Sequence, residues 1–244
     1  MFLQISKLRL MANMVGVTKP HGRSMISLLT IPIYWTLWGL FRGIGKLCFQ
    51  LHLTGQEQIP AQGRLLIAAN HASVLDIPFL GCGVARQLDF IGRHNLFPIP
   101  VLNFLVQRLG WIPIRQDGFD REGLRRAEGS ITNGKAVVIF PEGARTETGA
   151  LGEGKPGLAM LVARTKCLVV PAYISGTFES LPIGARRIAF HPVRVIYGAP
   201  IDFSPDIERL SKKEFYRHVT DTVMASILDL ALTDRPALVV PVAM

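Results

Sequence analysis

Apolar positions fall along this chain in two patterns. From Leu51 onward they come as short runs: Leu51–Thr54, Arg64–Ala69, Leu88–Gly92, Trp111–Ile114, Ala136–Phe140, Leu168–Ile174 and Val193–Tyr197. Each is strand length and β-branched or aliphatic, and turn residues bound most of them. Between them lie segments that read as helices: Asp76–Ala85, Pro100–Leu109, Gly118–Asn133, Gly157–Thr165 and Lys212–Leu230. In the last, Phe215, Val219, Val223 and Ile227 step by four and make one core-facing stripe, and Ser211 with Glu214 forms a capping box at its start. Strands alternating with helices predict an α/β fold, with a mixed, largely parallel central sheet flanked by helices. No internal repeat and no low-complexity segment interrupts the pattern.

The first fifty residues follow the other pattern. Met1–Val15 is apolar with Lys7 and Arg9 interspersed, and Lys19-Pro20-His21-Gly22 breaks it. Met25–Phe41 then runs 17 residues without a charge. A membrane span wants about 20 apolar residues. This run falls short, holds Pro32, and carries Tyr34, Trp35 and Trp38, which suit a headgroup boundary. The expectation is an N-terminal two-helix membrane anchor in one leaflet, with Arg23, Arg42 and Lys46 at the headgroups. A helical hairpin of a soluble core and a true span are the alternatives. No small-residue cleavage site follows, which argues against a signal peptide. The expected organisation is an anchor over residues 1–50 and an α/β domain over 51–244.

Charge follows the same division. The 244 residues carry a net +9, and Met1–Asn70 holds seven basic residues against the single acid Glu57. The most basic third is also the most apolar, which favours an anionic lipid surface over nucleic acid. No zinc-ligand spacing, helix-turn-helix signature or aromatic-rich basic strand occurs, so no nucleic acid and no metal is expected. The three cysteines Cys48, Cys82 and Cys167 are odd in number and scattered. They read as reduced thiols of a cytosol-facing protein.

Two strand ends carry the candidate chemistry. Leu65–Ala69 runs into Asn70-His71-Ala72-Ser73-Val74-Leu75-Asp76, so a His and an Asp sit where a strand ends and a helix begins. Open α/β sheets place their sites there. A carboxylate on one imidazole nitrogen fixes the tautomer and frees the other nitrogen to act as a base. Five residues apart on a continuous helix the two would diverge by about 140°. They meet only if His71 lies in the turn and Asp76 in the first helical turn. Taken alone, the pair is more often a surface turn with a capping Asp. The second end is Phe140-Pro141-Glu142-Gly143-Ala144-Arg145-Thr146, after the run Ala136–Phe140.

Together the two stretches resemble the glycerophospholipid acyltransferase family, in particular its 1-acyl-glycerol-3-phosphate acyltransferases. That family carries N-H-x-x-x-x-D and F-P-E-G-T-R-S as its first and third blocks. The resemblance covers about Gly55 to Ser175. It implies transfer of an acyl group from acyl-CoA or acyl carrier protein to the free 2-hydroxyl of lysophosphatidic acid, giving phosphatidic acid. It also implies association with the phospholipid bilayer, at the cytoplasmic face of a bacterial inner membrane. No cofactor is implied beyond the acyl-donor substrate. His71 would be the general base and Asp76 its orienting carboxylate. Ser73 is not needed as a nucleophile, because the acceptor supplies the hydroxyl and no G-x-S-x-G occurs.

The acceptor's phosphate calls for cations. Arg145 follows the Pro-Glu-Gly turn, Arg115 matches the Arg that closes the family's second block, and Lys155 matches a Lys in the extension after the third. Arg93 is a weaker candidate. Glu142 and Gly143 are assigned to binding and site structure, Gly143 because it lets backbone approach a ligand closely. Val169–Gly176, around Pro171, resembles the fourth block. Two positions depart from the family: Ala144 stands for the usual Thr, and Pro156 stands where a second Lys is common. Both bear on headgroup preference. The rival readings are an acyltransferase with another acceptor (glycerol 3-phosphate, another lysophospholipid or an aminoacyl lipid) and a non-catalytic lipid-binding protein of the same fold.

Overall fold

The computed structural model describes residues 25–96, 99–115 and 120–234. Among them, seven strands form one sheet: β1 (His52–Thr54), β2 (Leu65–Ala69), β3 (Leu88–Arg93), β4 (Trp111–Ile114), β5 (Ala136–Ile139), β6 (Leu168–Ser175) and β7 (Arg194–Tyr197). Their order is β1-β7-β6-β2-β5-β3-β4. Five strands from β6 to β4 are parallel, while β7 pairs antiparallel with β6 and β1 runs with β7. The chain therefore reverses its direction of travel around β2, with β5 and β6 on its two sides. Such a point in an open sheet leaves a crevice at the carboxyl ends.

Why β2 and β5 lie at the centre is written in their side chains. Leu-Leu-Ile-Ala-Ala and Ala-Val-Val-Ile are buried at every position. A strand covered on both faces reads as an unbroken apolar run, whereas β1 at the edge alternates. Alternate residues of β2 feed two cores. Leu65 and Ile67 pack with Phe79 and Leu80 on one face, and Leu66 and Ala68 pack with Ile131, Leu158, Val219 and Val223 on the other.

The helices are α1 (Met25–Cys48), α2 (Asp76–Cys82), α3 (Pro100–Arg108), α4 (Arg121–Thr132), α5 (Gly157–Thr165), α6 (Thr177–Ser180) and α7 (Lys212–Asp234). The first two contribute to the Phe79 side, and α4, α5 and α7 to the other. The α7 capping box forms as expected, with Ser211 N donating to a Glu214 carboxylate oxygen at 3.0 Å. Asp120 caps helix α4 by accepting from Gly123 N at 2.9 Å, and positions 118 and 119 of the predicted span lie outside the described residues. Helix α2 stops three residues short of its predicted end, Ala85. Side chains from elsewhere take its last carbonyls: Tyr197 Oη, Trp38 Nε1, Arg42 Nη1 and Gln56 Nε2 donate to Leu80, Gly81, Cys82 and Gly83.

The expectation of an N-terminal two-helix membrane anchor is not supported by the described residues. Met1–Val15, the first expected anchor segment, and Arg23 lie outside the described residues, as does the tail after Asp234. The second apolar run is a single helix of 24 residues that continues through Pro32 to Cys48. No helix among the described residues is long and apolar enough to cross a membrane. Arg42, expected at the headgroups, instead turns inward: it donates to Cys82 O at 2.5 Å and lies 5.1 Å from the Trp38 ring centre. Lys46 is exposed in the last turn of α1.

Candidate active site

The predicted turn-then-helix arrangement is what brings His71 and Asp76 together. His71 follows β2, and Asp76 is the first residue of α2. Asp76 Oδ2 stands 2.8 Å from His71 Nδ1 and also accepts the backbone N–H groups of Ala72 and Ser73, at 2.7 and 2.8 Å. A carboxylate holding two backbone amides stays an acceptor, so Nδ1 carries the proton of that contact. Asp76 is fully buried, and its Oδ1 has no partner among the described residues. The His71 ring stacks on Phe140, with centroids 3.8 Å apart and planes 12° apart. Stack and hydrogen bond fix the imidazole in two directions. Nε2 has no partner among the described residues, and the ring is only partly covered.

Glu142 locks the two strand ends to each other. One carboxylate oxygen accepts from His71 N and the other from Gly152 N, both at 2.8 Å. Burial pushes the Glu142 carboxyl above its usual range, against the opposing pull of those two N–H groups. Thr146 N donates to His71 O at 2.8 Å, and Asn70 pairs its amide with both Ile174 N and Ile174 O, extending the β2–β6 ladder by a side chain. Ser73 is no free nucleophile: its hydroxyl donates to Leu181 O at 2.8 Å and accepts from Leu75 N.

The predicted binding residues do not all converge. Gly143 has φ +72°, a conformation glycine adopts at little cost, and Lys155 lies over it; a Cβ there would meet Lys155 Nζ at 2.9 Å. Lys155 N bonds Pro141 O at 2.8 Å, which holds that side chain over the Pro-Glu-Gly turn. Arg145 is half-buried between Gly143 and Thr146, beside the site. Arg115 and Arg93 end β4 and β3, away from β2 beyond β5, and both are exposed. Ala144 is exposed.

Beside the His71–Asp76 block lies an apolar cavity of about 460 Å³. Val74, Ile77 and Gly81 line one side, Trp38 and Phe41 of α1 a second, and Leu109 and Trp111 the far end. Sequence reasoning did not find it, because its walls come from five separate segments. Asn70, Phe140 and Thr146 were also missed as site-builders, although all three sit inside the quoted motifs. Their signal was there: a polar side chain and an aromatic at the ends of fully apolar strands.

Comparison with known proteins bears on the family and the fold. The family described as Acyltransferase matches residues 50–175. The chloroplastic 1-acyl-sn-glycerol-3-phosphate acyltransferase LPAT1 of Arabidopsis thaliana is 32% identical over 157 residues, covering 63% of this chain and 44% of that protein. The lyso-ornithine lipid O-acyltransferase of Pseudomonas aeruginosa is 28% identical over 170 residues, covering 67% and 64%. This chain thus spans less than half the length of the plant relative. The crystal structure of the 1-acyl-sn-glycerophosphate acyltransferase PlsC from Thermotoga maritima superimposes with a TM-score of 0.66 at 24% identity, over 84% of this chain and 87% of that one, a likeness of fold.

Proposed function

The chain belongs to the acyltransferase family, and on that premise we propose that it moves an acyl group from an acyl thioester to the free 2-hydroxyl of lysophosphatidate, giving phosphatidate. The observation that carries this reading is the His71–Asp76 contact of 2.8 Å, which holds Nδ1 and leaves Nε2 to a substrate. An alcohol is a poor nucleophile near neutral pH, so its proton must leave as it attacks. His71 Nε2 takes that proton while the hydroxyl oxygen bonds to the thioester carbonyl carbon. The Asp76 carboxylate stabilises the imidazolium. The carbon–sulfur bond then breaks, and the imidazolium returns its proton to the departing thiolate. Every step uses only these groups and the two substrates.

The apolar cavity supports an acyl chain as ligand: its lining is apolar, and Val74 and Ile77 belong to the same block as the base. Lys155 and Arg145, beside Glu142, supply the cations for a phosphate, and Arg115 at the sheet edge is a more distant contributor. Residues 1–50 act as the membrane-anchoring part and residues 51–244 as the acyltransferase domain, on the cytoplasmic face of the membrane. The exposed apolar side chains of α1, among them Leu40, Ile44 and Leu47, suit burial in one leaflet. The donor is acyl-CoA or acyl carrier protein.

A second acceptor class is favoured by a specific observation, the similarity to a lyso-ornithine lipid O-acyltransferase, together with Ala144 and Pro156 in the phosphate-side turn. One assay separates the readings. Purified protein in detergent is given lysophosphatidate, glycerol 3-phosphate, lysophosphatidylethanolamine and lyso-ornithine lipid in turn, with each donor type. Phosphatidate as the fastest product supports the proposal. Transfer to lyso-ornithine lipid alone replaces the acceptor, and no transfer to any of them removes the reaction.

A further inference from the structure

The loop between α6 and β7 is exposed from residue 183 through 192. Ile183, Ile188 and Phe190 on it are 44%, 49% and 66% exposed. Arg186 and Arg187 lie between them, and neither has an acidic partner among the described residues. No Asp or Glu occurs from Ser180 to Ile201. The loop is nevertheless well formed: Ala189 N bonds Ser180 O at 2.9 Å and closes its neck.

Its location follows from the sheet. Strand β6 runs with β2 and β7 runs against β6, with Ser175 facing Arg194, so the loop joining them stands at the carboxyl end of β2, the end that carries His71. Its first residue is tied to the His71–Asp76 block through the Ser73 hydroxyl on Leu181 O. Its other end packs where α1 finishes: Phe190 meets Phe49 edge-on at 5.2 Å, and Val193 N bonds Phe49 O at 2.8 Å. The last turn of α1, just before Phe49, exposes Leu47 by 86%. The exposed apolar surface of α1 thus continues onto the loop and gains two unpaired cations there.

We propose that residues 183–190 are a second lipid-contacting element, which seats the active-site end of the sheet on an anionic leaflet. Arginines flanked by exposed Phe and Ile, with no acid in the loop's own sequence, match the two terms of interfacial binding: apolar insertion and attraction to anionic headgroups. The continuity with α1 favours a bilayer over an acidic carrier protein, which would need the cations but not an apolar surface shared with a helix. This proposal rests on the reading above, in which the acceptor is held in a lipid leaflet.

The test reads the loop itself, without substrate. An environment-sensitive fluorophore is placed by Ile188→Cys in a Cys48→Ser background of the full chain; the remaining cysteines, Cys82 and Cys167, are buried. Vesicles of phosphatidylcholine and phosphatidylglycerol should shift the emission to the blue, and brominated acyl chains should quench it. Arg186→Glu with Arg187→Glu should weaken partition onto these vesicles at least ten-fold, since each basic residue is worth about five-fold there. The same pair should leave partition onto pure phosphatidylcholine and turnover in detergent micelles within about two-fold. An emission that stays aqueous on vesicle-bound protein overturns the proposal. So does a shift that appears only when an acyl carrier protein is added. Quenching in a protein that fails to acylate lysophosphatidate would leave the loop assignment standing and remove the reaction instead.

Discussion

At the carboxyl ends of β2 and β5 the polar groups are bonded to one another: Asp76 Oδ2 accepts three N–H groups, Glu142 bridges two loops, and Asn70 completes a ladder. Across the cavity, α1 and α3 carry the opposite kind of surface. Leu40, Leu47, Val101, Phe104 and Leu105 stand exposed, and Tyr34, Trp38 and Arg42 tie α1 to the domain by side-chain hydrogen bonds. The first region is held largely by its own hydrogen bonds, with Asp76 Oδ1 and His71 Nε2 left without partners among the described residues. The second exposes apolar surface that the proposed membrane contact would cover. Reaction type and substrate environment are thus encoded on separate elements that meet at one cavity, and changes to one should leave the other legible.

The largest effect is expected from Asp76→Asn. The imidazole loses its orienting acceptor, and two backbone N–H groups lose part of theirs. Turnover should fall on the order of 10²–10⁴-fold, while vesicle binding stays within two-fold of wild type. A parallel loss of vesicle binding would show that the two regions are not separable. Glu142→Gln comes next. An amide accepts from one N–H but presents its own hydrogens to the other, so His71 N or Gly152 N goes unpaired at a cost of about 1–3 kcal/mol. Denaturant midpoints should drop accordingly, and turnover should fall about ten-fold as the His71 backbone shifts.

Arg145→Ala and Lys155→Ala should raise KM for the acceptor about ten-fold, the size of one lost charge-assisted bond, with KM for the thioester unchanged. Arg115→Ala, three strands from β2, should do less. If the thioester KM moves instead, the cations serve the donor. On the apolar side, Gly81→Ala puts a methyl into the cavity with Phe90 no nearer than 3.9 Å, so the fold tolerates it. Preference should move toward shorter acyl chains by about four-fold per methylene excluded, with little change for the best short substrate. The smallest effect is chemical. Burial pushes the Cys82 thiol up to about 11, and Cys167 is raised the same way, whereas Cys48 is exposed. Maleimide at pH 8 should modify Cys48 alone in the native protein, and vesicles should slow that reaction if the end of α1 enters lipid.

How much of this was legible in the sequence differs between the same two regions. Strands β2 and β5 announce themselves as unbroken apolar runs, and the residues that end them, His71 and Glu142, therefore fall at a readable place. Period and capping also located α5 and the start of α7. What could not be read were contacts between distant segments. Nothing local says that Glu142 will hold His71 N, that Tyr197 and Trp38 will end α2, or that five segments will enclose a cavity. The inward turn of Arg42 is of the same kind: its position suggests a headgroup contact, and only the neighbouring Cys82 carbonyl and Trp38 ring explain why it points elsewhere. The antiparallel return of β7 likewise depends on the short α6 and its loop, which carry no periodic signal.

The account rests on His71 as the base, and one measurement addresses that directly: single-turnover acyl transfer to lysophosphatidate by wild type and His71→Ala, at matched folded fraction. Removing a general base is worth about 10²–10⁴-fold. A fall of that size in the variant, with acyl-chain binding retained, is the predicted result. A variant that keeps more than about a tenth of the wild-type rate would contradict it, because a base whose loss costs so little is not the group that takes the proton.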